Sequence, residues 1–187
     1  MNTTAPSPPR GRLHLLLLLL VFAAPLGLAF GLYYGSSWRP ATRSNHGTLI
    51  EPVRPLTDAG VLAGKWSLVV IGTGSGGCDA GCRETLIYAR QTWLSLGKVA
   101  NRAQRVLLSS TECCDEDYLR REHQGLVRLR AATPETLALL QAFPSPQART
   151  IFIVDPLGNL MMRYDAQADP KGLRDDLKKL LDLSHIG

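Results

Sequence analysis

The chain has 187 residues, 45% of them apolar and 20% charged, with four cysteines and a formal net charge of +5. Four of its 21 basic residues (Arg10, Arg12, Arg39 and Arg43) flank a single apolar run, leaving 17 Lys and Arg against 16 Asp and Glu from Asn45 onward. The part beyond the run is therefore close to neutral, and the composition gives nucleic-acid binding no support.

From Leu15 to Tyr34 the chain carries 20 residues without a charge, matching the roughly 20 needed to cross a bilayer core as a helix. Pro25 lies in its middle, which a membrane helix tolerates. A cleaved signal peptide is the competing reading, but its apolar core would be about 7–15 residues and followed by a small-x-small site. An uncleaved signal anchor is preferred. The expected layout is a short tail over 1–12, a transmembrane anchor over 13–34, a polar stalk over 35–46 and a folded domain over 47–187. Basic residues stand on both sides of the span, so the charge rule is nearly tied; the short tail favours N-inside, with the domain outside. Trp38 reads as an interface anchor, His14 as an interfacial residue and His46 as a solvated stalk residue.

The remaining roughly 140 residues suffice for one core burying about 68–70% of the unfolded surface. Thr48–Pro52 and Pro55-Leu56 read as extended edge structure, since proline lacks the donor of a central strand. Trp66–Ile71 is a short β-branched run, the pattern of a strand buried on both faces. A helix is predicted over Asp79–Gly97, with Leu86, Ala89, Trp93 and Leu96 on its apolar side and Gly97 as its stop. Arg105–Ser109 is a second buried strand, Asp115 to about His123 a short helix with an acidic first turn, and Leu126–Leu129 a short strand. Thr133 and Pro134 open another helix as cap and first residue. Thr150–Val154, Asp155–Asn159 and Leu160–Tyr164 form a hairpin, and Leu173, Leu177, Leu180 and Leu181 mark a closing helix. The order predicts an α/β, thioredoxin-like fold, a central mixed sheet flanked by helices, behind one N-terminal transmembrane helix.

Chemistry concentrates at Cys78 and Cys82, in Gly76-Gly77-Cys78-Asp79-Ala80-Gly81-Cys82 directly after the first long strand. Two thiols at that spacing either hold a soft metal or exchange disulfides. A structural disulfide or two inert thiols is the bland alternative, but bridging so short a loop stabilises little, and a helix N-terminus lowers a thiol's pKa. The functional reading is preferred. Cys113 and Cys114 follow the second strand; if that strand lies parallel beside the first, both thiol pairs reach the same edge of the sheet. Either is then a possible third ligand or a resolving thiol, with incidental thiols in a capping segment as the equal alternative. Asp155 is more simply a turn former, one of Met161 and Met162 a core filler, and Trp93 a core residue.

Gly64-Lys65-Trp66-Ser67-Leu68-Val69-Val70 ahead of Cys78-x3-Cys82, with Ile151-Phe152-Ile153-Val154-Asp155-Pro156-Leu157-Gly158-Asn159 near the end, resembles the Sco/SenC proteins. Those are membrane-anchored, thioredoxin-like factors in assembly of the copper site of cytochrome c oxidase subunit II. The resemblance covers roughly residues 47–183. It implies that Cys78 and Cys82 carry Cu(I), or reduce the cysteines of the apo copper site. It also implies partners in subunit II or other assembly factors, and a bacterial inner membrane with the domain in the periplasm, ahead of the mitochondrial inner membrane. Two departures are visible. The family's copper-binding histidine lies just ahead of the penultimate long strand, where counting back eight from Asp155 reaches Gln147. The cis-proline that thioredoxin-type enzymes place directly before the strand facing the thiols is replaced by Arg149. The alternatives are a general thiol–disulfide oxidoreductase of the cell envelope, the one enzyme class in view, and a non-catalytic docking scaffold.

Overall fold

The protein is described from a computed structural model covering residues 10–35, 44–57, 60–72, 78–110, 116–144, 149–166 and 169–187. The chain divides into two compact units, residues 1–43 and 44–187. In the first, α1 (Arg10–Gly35) is one helix with Pro25 inside it. Its segment Gly11–Gly35 is long and apolar enough to cross a membrane.

The second unit is built on a six-stranded sheet of order β1-β6-β5-β2-β3-β4. The strands are β1 (Thr48–Pro55), β2 (Trp66–Gly72), β3 (Ala103–Ser109), β4 (Leu126–Arg130), β5 (Thr150–Val154) and β6 (Asn159–Asp165). β2 runs parallel to β3, and β3 to β4, with Gly72 level with Ser109 and Ser109 with Arg130. β5 is antiparallel to both β2 and β6, and β1 is antiparallel to β6. Every residue of β2 is buried, as its continuous apolar run requires when both faces are covered. Pro52 and Pro55 keep β1 at the edge.

Helices α2 (Ala80–Ser95), α3 (Glu116–Glu122) and α5 (Pro170–Leu183) cover one face. There Leu86, Ala89, Leu119, Leu173, Leu177 and Leu181 pack on Leu68, Val70, Leu107, Ile151 and Ile153. On the other face α4 (Pro134–Ala142) sets Leu139 against Val69, Val106, Leu108 and Phe152. Thr133 and Pro134 act as expected, with a capping box between Thr133 and Thr136.

Three expectations need correction. The helix predicted over Asp79–Gly97 runs Ala80–Ser95 with Leu96 as its C-cap, and Gly97, at φ 59°, stands just past the end as the expected stop; the 3₁₀ segment Gly97–Arg102 that begins there was not in the sequence pattern. The second buried strand starts two residues early because Ala103 pairs with Trp66. His46 is no free stalk residue: its Nδ1 lies 2.9 Å from Asp169 Oδ2, and its N–H donates to Asp176 at 2.7 Å. Asp176 is buried and also accepts from Gly47 N and Tyr164 Oη. This network ties the chain ahead of β1 to α5, and burial together with the Asp176 hydrogen bond pushes the Tyr164 phenol well above its ordinary value.

A second buried polar group lies between α3 and β4. His123 follows α3, 2% exposed, with Nε2 3.3 Å from Tyr118 Oη. Arg105 of β3 is also buried, its guanidinium 4.9 Å from the Trp93 ring and donating to Gln124 O. Burial, then the charges of Arg105 and Arg90, lower the His123 pKa below its ordinary 6.5, with Glu122 opposing. The unfolded chain therefore takes up a proton there more readily than the folded one. Stability is fully present above pH 6.5 and falls as pH drops through 6.5 toward the depressed folded value. Urea unfolding is expected to show this loss in the wild type and to lose that component of slope in His123→Gln. An unchanged slope would contradict the assignment.

Candidate functional site

The disulfide stands where β2 hands the chain to α2. Cys78 and Cys82 are bonded, with Cα atoms 5.1 Å apart, and both are buried. Cys78 precedes the helix, Asp79 is its N-cap and Cys82 lies in its first turn. Asp79 Oδ1 accepts from Cys82 N at 2.8 Å, and Asp79 O from Arg83 N at 3.0 Å. The sulfurs thus sit at the positive end of a 16-residue helix, an environment that favours a thiolate once the bond is reduced.

Sheet direction decides what can approach them. β2 and β3 leave the sheet at Gly72 and Ser109, side by side. β5 runs the other way, Ile151 lying opposite Val70 and Val154 opposite Ser67. The start of β5 is therefore at the thiol edge and its end at the far edge. Arg149, directly before β5, is at the thiol edge, with φ 74°. Its side chain reaches the N-terminal part of α2: Nη2 is 2.9 Å from Glu84 Oε2. A Cβ built on Gly81 would lie 3.6 Å from its Cγ and 3.7 Å from its Nε. The cis peptide bond among the described residues is Glu51–Pro52, in the edge strand.

Asp155 is excluded from the site by the same directions. It follows Val154 at the far edge, where its carboxylate accepts from Leu157 N, Asn159 N and Asn159 Nδ2 to hold the hairpin turn. Met162 fills the core as expected of one of the two methionines. Trp93 packs against the core and donates to Ala100 O and Ala103 O. His123 precedes β4, at the end of that strand away from Ser109, and His185 is in the C-terminal tail. Cys113, Cys114 and Gln147 lie outside the described residues. Two thiolates are a donor set for Cu(I); among the described residues no three His, Cys, Asp or Glu side chains group to hold a metal. The sequence pointed to the cysteines. Arg149 it marked only as the residue standing where a proline was expected.

A disulfide closing the N-terminal turn of a helix, at the outgoing edge of a parallel pair in a mixed sheet, defines a thioredoxin-like protein. The profile described as "Transmembrane-like, thioredoxin-like, C-terminal domain" matches residues 66–184, and the chain belongs to that family. Its fold is similar to that of Arabidopsis thaliana ScoI with copper bound (16% identity, TM-score 0.53, covering 67% of this chain and 89% of that one). Bradyrhizobium japonicum ScoI with copper bound is similar at 18% identity and TM-score 0.51, covering 71% of this chain and 98% of that one. Yeast Sco1 is similar at 16% identity and TM-score 0.55, covering 67% and 84%. At these identities it is the fold that is shared, the thioredoxin-like fold that the Sco/SenC resemblance implied. No curated protein matches the chain significantly.

The Asp79 cap is separable from the disulfide. Asp79→Ala is expected to lower the stability of the oxidised protein by about 1 kcal/mol, and Asp79→Ser to restore most of it. Denaturant unfolding checks this; equal stability of the alanine and aspartate forms would contradict the cap's role.

Proposed function

We propose that this chain is a membrane-anchored thiol–disulfide protein whose Cys78–Cys82 pair cycles between disulfide and dithiol. The observation that carries the reading is the bond between these residues at the N-terminus of α2. Closing a ring that spans a sequence separation of 4 is worth only about 2 kcal/mol in chain entropy, and Asp79 already caps the helix. A structural staple has little to add there.

The chemistry balances without a metal. The Cys78 thiolate attacks a partner disulfide and releases one partner thiolate. Cys82 then attacks the Cys78 sulfur and releases the second. The partner gains two electrons and two protons, the pair becomes a disulfide, and an external dithiol must reduce it again. Cys78 is assigned as the attacking residue because it lies outside the helix, while Cys82 is held in the first turn.

The physiological setting follows from the resemblance and the anchor. Residues 13–34 hold the protein in a bacterial inner membrane, and the domain over 47–187 faces the periplasm. There it serves cytochrome c oxidase assembly, reducing the cysteines of the subunit II copper site or passing Cu(I) to it. The fold shared with two copper-bound Sco proteins supports this, as does an apolar helix of sufficient length. Copper is cargo in this reading, carried by the two thiolates with Cys113 or Cys114 as the proposed third donor.

Reduced full-length protein treated with Ellman's reagent discriminates these roles. Cys82→Ser is expected to accumulate a mixed disulfide mapped to Cys78 by peptide mass spectrometry, and Cys78→Ser to react at Cys82 about tenfold more slowly. Equal trapping at either position would remove the assignment of roles. An anaerobic Cu(I) titration showing one tight equivalent, lost in the Cys78→Ser, Cys82→Ser double variant, would establish the carrier mode.

A further inference from the structure

Arg149 departs from what its position requires. A residue with a side chain at φ 74° bears a conformational cost of about 1–2 kcal/mol that glycine would not. The strained residue is built into the fold: its carbonyl accepts from Ala166 N at 2.9 Å across the β5–β6 end. Its side chain turns toward α2 and covers Gly81, a residue inside the Cys78–Cys82 ring, with aliphatic and guanidinium atoms both at van der Waals range of where a Cβ would stand. Glu84, one turn further along α2, holds the guanidinium at 2.9 Å. The Arg149 side chain is 31% exposed and that of Glu84 59%, so the cation sits inward and the carboxylate outward. The guanidinium is thereby held at the edge of the sulfur ring opposite the capping carboxylate of Asp79, whose Oδ1 would lie 3.4 Å from the same Cβ position.

We propose that Arg149 is a positioning residue for the Cys78–Cys82 pair: its guanidinium, steadied by Glu84, stabilises the negative charge released on sulfur when the disulfide opens and draws anionic thiol partners to it. The proposal rests on the redox reading above. On reduction by an external dithiol, the S–S bond breaks, two electrons enter the pair and the dithiol becomes a disulfide. The sulfur that leaves first does so as a thiolate, and a fixed cation beside its ring favours that step and the reduced product. A purely structural tie between β5 and α2 would need neither a strained arginine nor a cation, since an apolar contact over Gly81 would serve.

The test compares full-length wild type, Arg149→Gly, Arg149→Lys and Glu84→Gln. Glycine relieves the backbone at positive φ, so Arg149→Gly is expected to fold with undiminished stability while lacking the charge. The equilibrium constant with dithiothreitol is expected to shift about tenfold toward the protein disulfide in Arg149→Gly, about 30 mV in potential, and to be largely restored in Arg149→Lys. Reaction with oxidised glutathione, which is anionic, is expected to slow in Arg149→Gly relative to cystamine, which is cationic, and to quicken in Glu84→Gln. A wild-type pair with a measurable equilibrium that none of these variants moves would overturn the proposal and leave the redox reading standing. A wild-type pair that no dithiol reduces reversibly would overturn both.

Discussion

The pairing of β2 on both its sides is the constraint on which the rest of the molecule depends. β2 is buried along its whole length, and its hydrogen-bonding groups are taken by β3 in parallel and β5 in antiparallel. The parallel partner brings two chain exits to one edge; the antiparallel partner brings a chain entrance to the same edge. Cys78, the first turn of α2 and Arg149 come together because of those directions. The same directions send Asp155 to the opposite edge. Burying Leu68, Val69, Val70 and Ile71, at about 1.5–3 kcal/mol each, offsets much of the entropy of ordering the strand, and so holds the site's frame.

On that frame the site is an arrangement of charge around a buried sulfur pair. Asp79 satisfies the N–H of Cys82, so the helix end is closed by a carboxylate rather than left open to a ligand. Arg149 counters it from the β5 side, and Glu84 tethers the arginine. Cys82 is held by the helix and Cys78 precedes it, so reduction frees the residue that the helix does not constrain. Copper enters this account only as something two thiolates can carry.

Most of the fold was legible because its signals are local. The apolar run Trp66–Ile71, the Thr133-Pro134 cap and the strand-turn-strand pattern around Asp155–Asn159 each state their conformation within a few residues. Cys78 and Cys82 were legible for the same reason. What was missed is non-local or depends on backbone angles. The positive φ of Gly97 is what a helix-stop glycine implies, but the 3₁₀ segment Gly97–Arg102 that continues from it has no periodic signal of its own. The tie of His46 to Asp169 and of Gly47 to Asp176 spans more than a hundred residues of chain and cannot be read from a stalk-like composition. Arg149 was visible as an absent proline, but its reach to Glu84 needs the antiparallel β5 to be placed first. Strand direction, which local pattern leaves open, also decided against Asp155 as a site residue.

The central claim is that Cys78–Cys82 is a working redox pair and not a staple, and its equilibrium reduction potential tests that most directly. Full-length protein equilibrated against defined thiol–disulfide buffers, with the pair's state read by alkylation and mass spectrometry, yields the value. The expected potential lies in the range of thioredoxin-fold oxidoreductases, about −120 to −270 mV. A value below about −300 mV, the range of structural disulfides, would contradict it.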